Sequence, residues 1–400
     1  MILGVIGLIC LFYAAVLGIY ANLALKKNQL KLNKRSRKPR IAMLVPARFE
    51  SAVIEGLLKS ILRQTAAMNM KDVYVIVESL DDPTVKICQN YGCSVILRDH
   101  PELQRKGYAL DEAIKQILPK HHYDLYFIFD ADNRLAPTYL EEMLKTYAIG
   151  YQLATGYRNA KNNNYNVITA VSALTFTMIN TLGNKNRIRH GANIIFSGTG
   201  CYIDGELVEK WQGWPFHSLT EDYEMSLYAI LDNISTFYNE KAVFYDEQPT
   251  QYAQTVAQRV RWIKGYFSSR KIYLPKMRKR PVESNQGSLI KEYTGVKPVI
   301  WALVGVVCLL FNDILGLFLD HNLTFIIVSL ILLLVLIYIV LMIITIVMIR
   351  KETMHFTPKI KWQAILYNPI YLLSYIPCAL KALLTHNVEW KPIQHGGSSR

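Results

Sequence analysis

The sequence predicts an α/β domain on a mostly parallel sheet, joined to α-helical transmembrane segments. Three observations carry this expectation. Short apolar runs rich in Val, Ile and aromatics alternate with helical patterns from residue 41 onward. Long uncharged apolar stretches lie at both ends of the chain. The 400 residues are 51% hydrophobic yet carry a net charge of +14, which suits a membrane protein with a basic cytoplasmic face better than a soluble globule.

Residues 1–24 are almost entirely apolar and long enough to span a bilayer. A secretory signal would show a basic region before the run and a small-residue cleavage site after it; neither is present. The expectation is a retained helix with its N-terminus outside. A basic juxtamembrane linker, 25–40, follows. Its eight Lys or Arg between Lys26 and Arg40, with no acid, place it in the cytoplasm against anionic lipid rather than nucleic acid.

Residues 41–285 form the expected cytoplasmic domain. "IAMLVPA", "VYVIV", "SVIL" and "LYFIF" read as strands, and Ser51–Gln64 and Tyr108–Leu118 read as helices between them. Ligands bind at the carboxyl ends of such strands. Here those ends are polar ("ARFE", "ESLDD", "RDH", "DADN"), so they are expected to share one crevice.

Residues 286–400 form a second membrane region. Spans at 299–319 and 323–349 make an out-and-back hairpin with "DHN" as the far-side turn. A third apolar segment, 362–384, contains Asn368-Pro369 and Pro377, which break it into re-entrant or interfacial pieces and leave a cytoplasmic tail. Six scattered cysteines form neither a disulfide framework nor a zinc pattern, which implies a reducing compartment.

Three stretches carry chemistry, and each has a plain structural reading beside it. Asp130-Ala131-Asp132 ends an apolar strand; the pair either closes an Asx-turn or converges on a divalent cation that bridges a diphosphate. In "HSLTEDYEMSL", Thr220 suits a helix N-cap with Glu221 and Asp222 in the first turn, while Asp222 alternatively serves as a general base. His217 could assist, or be structural. In "QRVRW", Gln258, Arg261 and Trp262 share a helix face that suits a phosphate and a sugar ring, or a membrane-surface helix. Arg259 to Arg280 adds nine cations and no acid, fitting anionic lipid or a sugar diphosphate.

In this order and spacing the stretches resemble the signature of membrane-integrated family 2 glycosyltransferases with the Rossmann-like GT-A fold, the group of cellulose, hyaluronan, chitin and poly-N-acetylglucosamine synthases. The match extends to "VPARFE" ending at Glu50, "RKGYAL" (Arg105–Leu110), "SGTGCYI" (Ser197–Ile203) and "EWKPIQH" (Glu389–His395). It departs at Glu78, where the family usually has an Asp near the uracil, and it lacks the "FxVTxK" gating loop of cellulose synthases.

The resemblance implies inverting transfer from a UDP-sugar, UDP-glucose or UDP-N-acetylglucosamine. Pro46, Ala47, Glu50, Glu78, Lys106, Asp130, Asp132, Gln258 and Arg261 would hold the donor, with Mg²⁺ or Mn²⁺ on Asp132 and Asp130. Asp222, with Glu221 and Thr220, would be catalytic. Gly198, Thr199, Gly200 and Trp262 would line the acceptor site. A processive polysaccharide synthase that secretes a β-linked polymer is the leading expectation. A non-processive glycolipid transferase and an inactive nucleotide- and lipid-binding scaffold are its rivals. The implied partners are the UDP-sugar, a growing glycan or lipid acceptor, membrane lipids, and a homo-oligomer or accessory secretion subunit at the plasma membrane; nucleic acid is not among them.

Overall fold

The computed structural model describes residues 2–23, 32–279, 286–319, 323–351 and 355–385. The expectations for 25–31, for the "DHN" turn, and for the tail with its "EWKPIQH" stretch lie outside the described residues.

Among the described residues, eight strands form one sheet: β1 (Ile41–Pro46), β2 (Val73–Val77), β3 (Ser94–Leu97), β4 (Leu125–Ile128), β5 (Arg134–Leu135), β6 (Leu153–Ala160), β7 (Cys201–Asp204) and β8 (Thr236–Asp246), in the order β3-β2-β1-β4-β7-β6-β8-β5. The β1–β4 group is parallel, β7 runs antiparallel to both β4 and β6, and β6 and β8 are parallel again. The sheet is therefore mixed, with the reversal at β7. β1, β2 and β4 are continuous apolar runs because both faces are covered. Their alternate residues feed two cores. Ala42, Leu44, Ile76 and Ile128 point to one face, and Met43, Val45, Val75 and Phe127 to the other.

Helices α2 (Ile54–Leu62), α3 (Pro83–Asn90), α4 (Lys106–Ile117) and α5 (Tyr139–Ile149) cross between strands. α2 packs Ile54, Leu57, Leu58 and Ile61 into one core, and α4 packs Leu110, Ala113, Ile114 and Ile117 into the other. After β6 come α6 (Val167–Met178), a π-helix (Ile179–Lys185) and the short α7 (Asn186–Arg189); α8 (Gly205–Trp211) follows β7, and α9 (Glu221–Leu231) precedes β8. The 27-residue α10 (Tyr252–Arg278) follows β8.

Among the described residues, four stretches are long and apolar enough to cross a membrane: Ile2–Tyr20, Val167–Arg189, Ser288–Gly316 and Ile326–Arg350. The first lies in α1 (Ile2–Leu23). The third covers much of α11 (Gln286–Thr294) and α12 (Lys297–Leu319), and the fourth lies in α13 (Leu323–Lys351). The second was not expected as apolar enough, and it is largely covered by protein. Ala170 and Leu174 of α6 pack on Met348 and Ile349 of α13 and on Ala364 and Ile365 of α14 (Pro358–Leu373). α1 and α12 cross at Gly7 and Gly305, where a Cβ on either would lie 2.9 Å from the other's carbonyl oxygen. Close backbone approach of this kind is how small residues join membrane helices.

The 362–384 segment breaks at one place. α14 continues through Asn368 and Pro369, with Asn368 buried and donating to Thr345 Oγ1 at 2.8 Å. The chain breaks at Ser374, and α15 (Tyr375–Leu384) restarts there. The reason is Pro377: its ring opposes the carbonyl four residues back, that of Leu373, the last residue of α14.

Candidate active site

The polar strand ends meet at one edge of the sheet. After β1, Ala47 N–H donates to Ile76 O at 2.8 Å, so Pro46 and Ala47 continue the sheet into the first loop. Asp82 and Thr84 shape that loop. Asp82 accepts from Phe49 N–H (2.7 Å) and from Thr84 N–H (2.8 Å), and Thr84 Oγ1 accepts from Glu50 N–H (3.0 Å). Phe49 is held at φ 55, a left-handed conformation that a non-glycine residue adopts only when its surroundings impose it. Glu78, at the end of β2, is paired with Arg48 Nε (2.9 Å) and Arg98 Nη1 (3.3 Å).

The Asp130–Asp132 turn is fastened from below. Thr199 Oγ1 and Asn133 Oδ1 both accept from Asp130 N–H, at 2.9 and 3.2 Å. Thr199 is fully buried, so its hydroxyl braces this turn. Asp132 accepts from Asn133 Nδ2 (3.1 Å) and Glu247 N–H (3.3 Å), and its carbonyl accepts from Lys161 (2.9 Å), which also pairs with Glu247 at 2.8 Å.

Lys106, the first residue of α4, donates to Asp130 Oδ1 and to Gly198 O (2.8 Å). Burial disfavours the ammonium, but Asp130 and Glu221 outweigh it and raise its pKa. Gly198 sits at φ 86, and a Cβ there would lie 3.4 Å from Asp222 Oδ2. Gly200 has no room for a side chain, because a Cβ there would lie 2.2 Å from the Phe244 ring.

Glu221 and Asp222 open α9. Thr220 occupies the N-cap position, but its hydroxyl makes no cap bond and is buried against α10 at Gly265, where a Cβ would lie 2.3 Å from Thr220 Oγ1. Glu224 accepts from Ser218 N–H at 3.0 Å and so holds the loop that precedes the helix. Burial, then the neighbouring Asp222 charge, pushes Glu221 up to about 7, with Lys106 and Arg261 opposing. Burial likewise raises Asp222, against the Tyr223 N–H, Arg261, Lys106 and Arg158.

α10 lies across this edge. Arg261 Nη1 donates to Leu219 O at 3.1 Å and so ties α10 to the loop before α9. Trp262 meets Phe176 of α6 edge to face at 5.7 Å, and Gln258 is half-buried on the same side of α10. His217 is stacked on Tyr108 at 4.5 Å and lies 3.7 Å from Asp111, a position that fastens its loop to α4.

Several residues of this site were not expected. Arg158 stacks on Phe176 at 3.7 Å, pairs with the buried Asp246 (Nε to Oδ2, 2.7 Å) and donates to Ser197 O (2.7 Å), so it supports the Ser197–Gly200 loop. Burial raises Asp246 even against Arg158. The signal was available: β6 and β8 also end in polar residues, "RNA" and "YDE". Their interiors, "LATGY" and "YNEKAV", are too small or too polar to read as strands.

The residues present fit a divalent cation. Among the described residues no three His, Cys, Asp or Glu cluster as a metal cage. Two carboxylates on one turn, leaving the remaining ligands to phosphate and water, is a usual arrangement for Mg²⁺.

Residues 39–265 match the family described as "Glycosyltransferase like family 2". The hyaluronan synthase of Streptococcus pyogenes serotype M1 is 25% identical over 305 residues, covering 68% of this chain and 70% of the relative. The beta-monoglucosyldiacylglycerol synthase of Nostoc sp. (strain PCC 7120) is 22% identical over 241 residues, covering 57% of this chain and 49% of the relative. Among solved structures, the mannosyltransferase PcManGT from Pyrobaculum calidifontis, in complex with GDP-Man and Mn²⁺, superposes with a TM-score of 0.61 at 14% identity, covering 96% of this chain and all of that one. That likeness speaks for the fold, which is GT-A. More than half of the chain lies within the family match, and the protein belongs to the glycosyltransferase-like family 2.

Proposed function

We propose that this chain is an inverting membrane glycosyltransferase that builds a β-linked polysaccharide from a UDP-sugar, UDP-glucose or UDP-N-acetylglucosamine, processively and with secretion across the membrane. The observation that carries the reading is Gly198. Its carbonyl accepts from Lys106, the partner of Asp130, and its Cα faces Asp222. In this reading a donor diphosphate at Asp130 and an acceptor hydroxyl at Asp222 would be separated by one residue.

In this reading Asp222 takes the acceptor hydroxyl proton as the oxygen attacks the sugar C1. The C1–O bond to the diphosphate breaks and UDP leaves. Arg261 offsets the charge on the departing diphosphate, Gln258 orients it, and Trp262 stacks on the acceptor sugar. Mg²⁺ or Mn²⁺, held by Asp132 and Asp130, supplies further positive charge when bound. The basic residues after α1 support a cytoplasmic catalytic domain at the plasma membrane, with the polymer leaving beside α12 and α13. The four membrane-length helices among the described residues favour a homo-oligomer or an accessory subunit for the exit path.

The relative named a glycolipid synthase supports a second reading, transfer of one sugar to a lipid headgroup. Donor screening by UDP release, followed by sizing of the product, tests both. A long saccharide is expected; a singly glycosylated lipid as sole product would overturn the polysaccharide reading.

A further inference from the structure

Glu292 is among the buried carboxylates that the mechanism above leaves unused. Glu292, on α11, is 2% exposed. Three elements converge on it. Arg187 of α7 donates to Oε1 at 2.7 Å; Arg270 of α10 and the Tyr223 hydroxyl of α9 donate to Oε2 at 3.0 and 2.9 Å. Arg270 also donates to the Glu292 carbonyl, and the Tyr223 ring stacks on Tyr266 at 5.0 Å. Each partner leads to the reacting edge. Tyr223 directly follows Asp222 and donates its N–H to Asp222 Oδ1 at 2.8 Å. Arg187 donates to Asn193 O (3.1 Å), in the segment that runs into the Ser197–Gly200 loop. Arg270 lies on the helix that carries Arg261 and Trp262. On the other side Glu292 is three residues before Gly295, whose φ of 46 turns the chain toward α12 and whose missing side chain admits Arg270 and Tyr266.

We infer that Glu292 is a positioning residue for the transfer step: through the Tyr223 hydroxyl it sets where Asp222 stands, and through α11 it ties that position to the segment entering the membrane. The inference rests on Asp222 as the base. A buried carboxylate with two guanidiniums and a hydroxyl is a satisfied network whose members hold discrete places. Displacing a base by about an ångström costs on the order of a hundredfold in rate. Lys106, Asp130 and Asp132, which hold the donor in the proposed reading, are not members of the hydrogen-bonded set of Glu292, Arg187, Arg270 and Tyr223.

The test uses the full chain in detergent or nanodiscs, with UDP release as the readout. Tyr223→Phe removes only the hydroxyl and keeps both ion pairs. It is expected to lower kcat about tenfold with UDP affinity unchanged. Glu292→Gln is expected to lower kcat further, and the double variant to be no slower than Glu292→Gln, because both act through one bond. If Glu292→Gln does not fold, Tyr223→Phe alone decides. A folded Tyr223→Phe with kcat within twofold of wild type, or single effects that simply multiply, overturns the inference. A wild-type chain that releases UDP normally while Asp222→Asn is equally active overturns the reading beneath it instead.

Discussion

The carboxylate of Glu78 lies 2.9 Å from Nε of Arg48, and its other oxygen lies 3.3 Å from Nη1 of the buried Arg98. The residue expected to face the nucleobase is therefore also the partner of two guanidiniums, one of them on the first nucleotide loop. Glu78→Gln keeps the size and removes the charge. We expect UDP affinity to fall by about tenfold, or ~1.4 kcal/mol, with kcat within a fewfold of wild type. Calorimetric titration with UDP checks this; unchanged affinity would mean that the Arg48 loop stands without the pair.

Asp222→Asn separates catalysis from helix capping. The amide oxygen still accepts from Tyr223 N–H, and no cap bond is lost. Removing a carboxylate whose burial already disfavours its charge should leave stability within about 1 kcal/mol of wild type. Transfer should fall by about a hundredfold or more, since an amide takes no proton, while UDP binding stays close to wild type. Transfer within a fewfold of wild type would remove Asp222 from the mechanism.

Glu221 makes stability depend on pH. Burial raises it to about 7, above its unfolded value of about 4.5. The unfolded chain therefore releases this proton first. Relative to Glu221→Gln, the wild type should lose stability as pH rises from about 4.5 to about 7, and stay level above that. Thermal unfolding of the two proteins at pH 5 and pH 8 measures the difference; parallel melting temperatures would contradict the buried, protonated state.

Metal removal should stop transfer. Excess EDTA is expected to abolish UDP release, and Mn²⁺ or Mg²⁺ to restore it. Ca²⁺ should restore it poorly, because it seeks six to eight oxygens at longer distance. Full activity in EDTA would return Asp130 and Asp132 to the role of a turn.

Gly265→Ala tests the seating of α10 on α9. The new methyl would lie 2.3 Å from Thr220 Oγ1, so the two helices must part. A loss of about 1–3 kcal/mol in stability is expected, together with a clear loss of kcat as Arg261 leaves Leu219 O. An alanine variant with wild-type melting and rate would show that this contact relaxes freely.

Much of the fold was readable because the responsible signals are local. β1, β2 and β4 are apolar on both faces, and the membrane-length helices are long uncharged runs; neither needs a partner to be recognised. β7 and the small, polar β6 and β8 were not readable. Their strand character comes from pairing: Leu153–Ala160 lies between Cys201–Asp204 and Thr236–Asp246. Likewise Pro377 was legible as a breaker, but the position of the break at Ser374 follows from the carbonyl that its ring opposes.

The groups available for chemistry are legible in the chain alone: paired carboxylates at Asp130 and Asp132, an acid pair at Glu221 and Asp222, and the Arg261-Trp262 face of one helix, each written in consecutive or helically spaced residues. What each group touches follows from the packing of remote segments. Thr199 braces the Asp130 turn from below, Thr220 packs on Gly265 without capping, Arg158 supports the Ser197–Gly200 loop, and Glu292 meets Tyr223 from sixty-nine positions away in the chain. The physical reason is range. Helix and strand patterns repeat every few residues and are set by neighbours in sequence, whereas hydrogen bonds, ion pairs and burial-shifted pKa values depend on distances that exist only after remote segments have packed together.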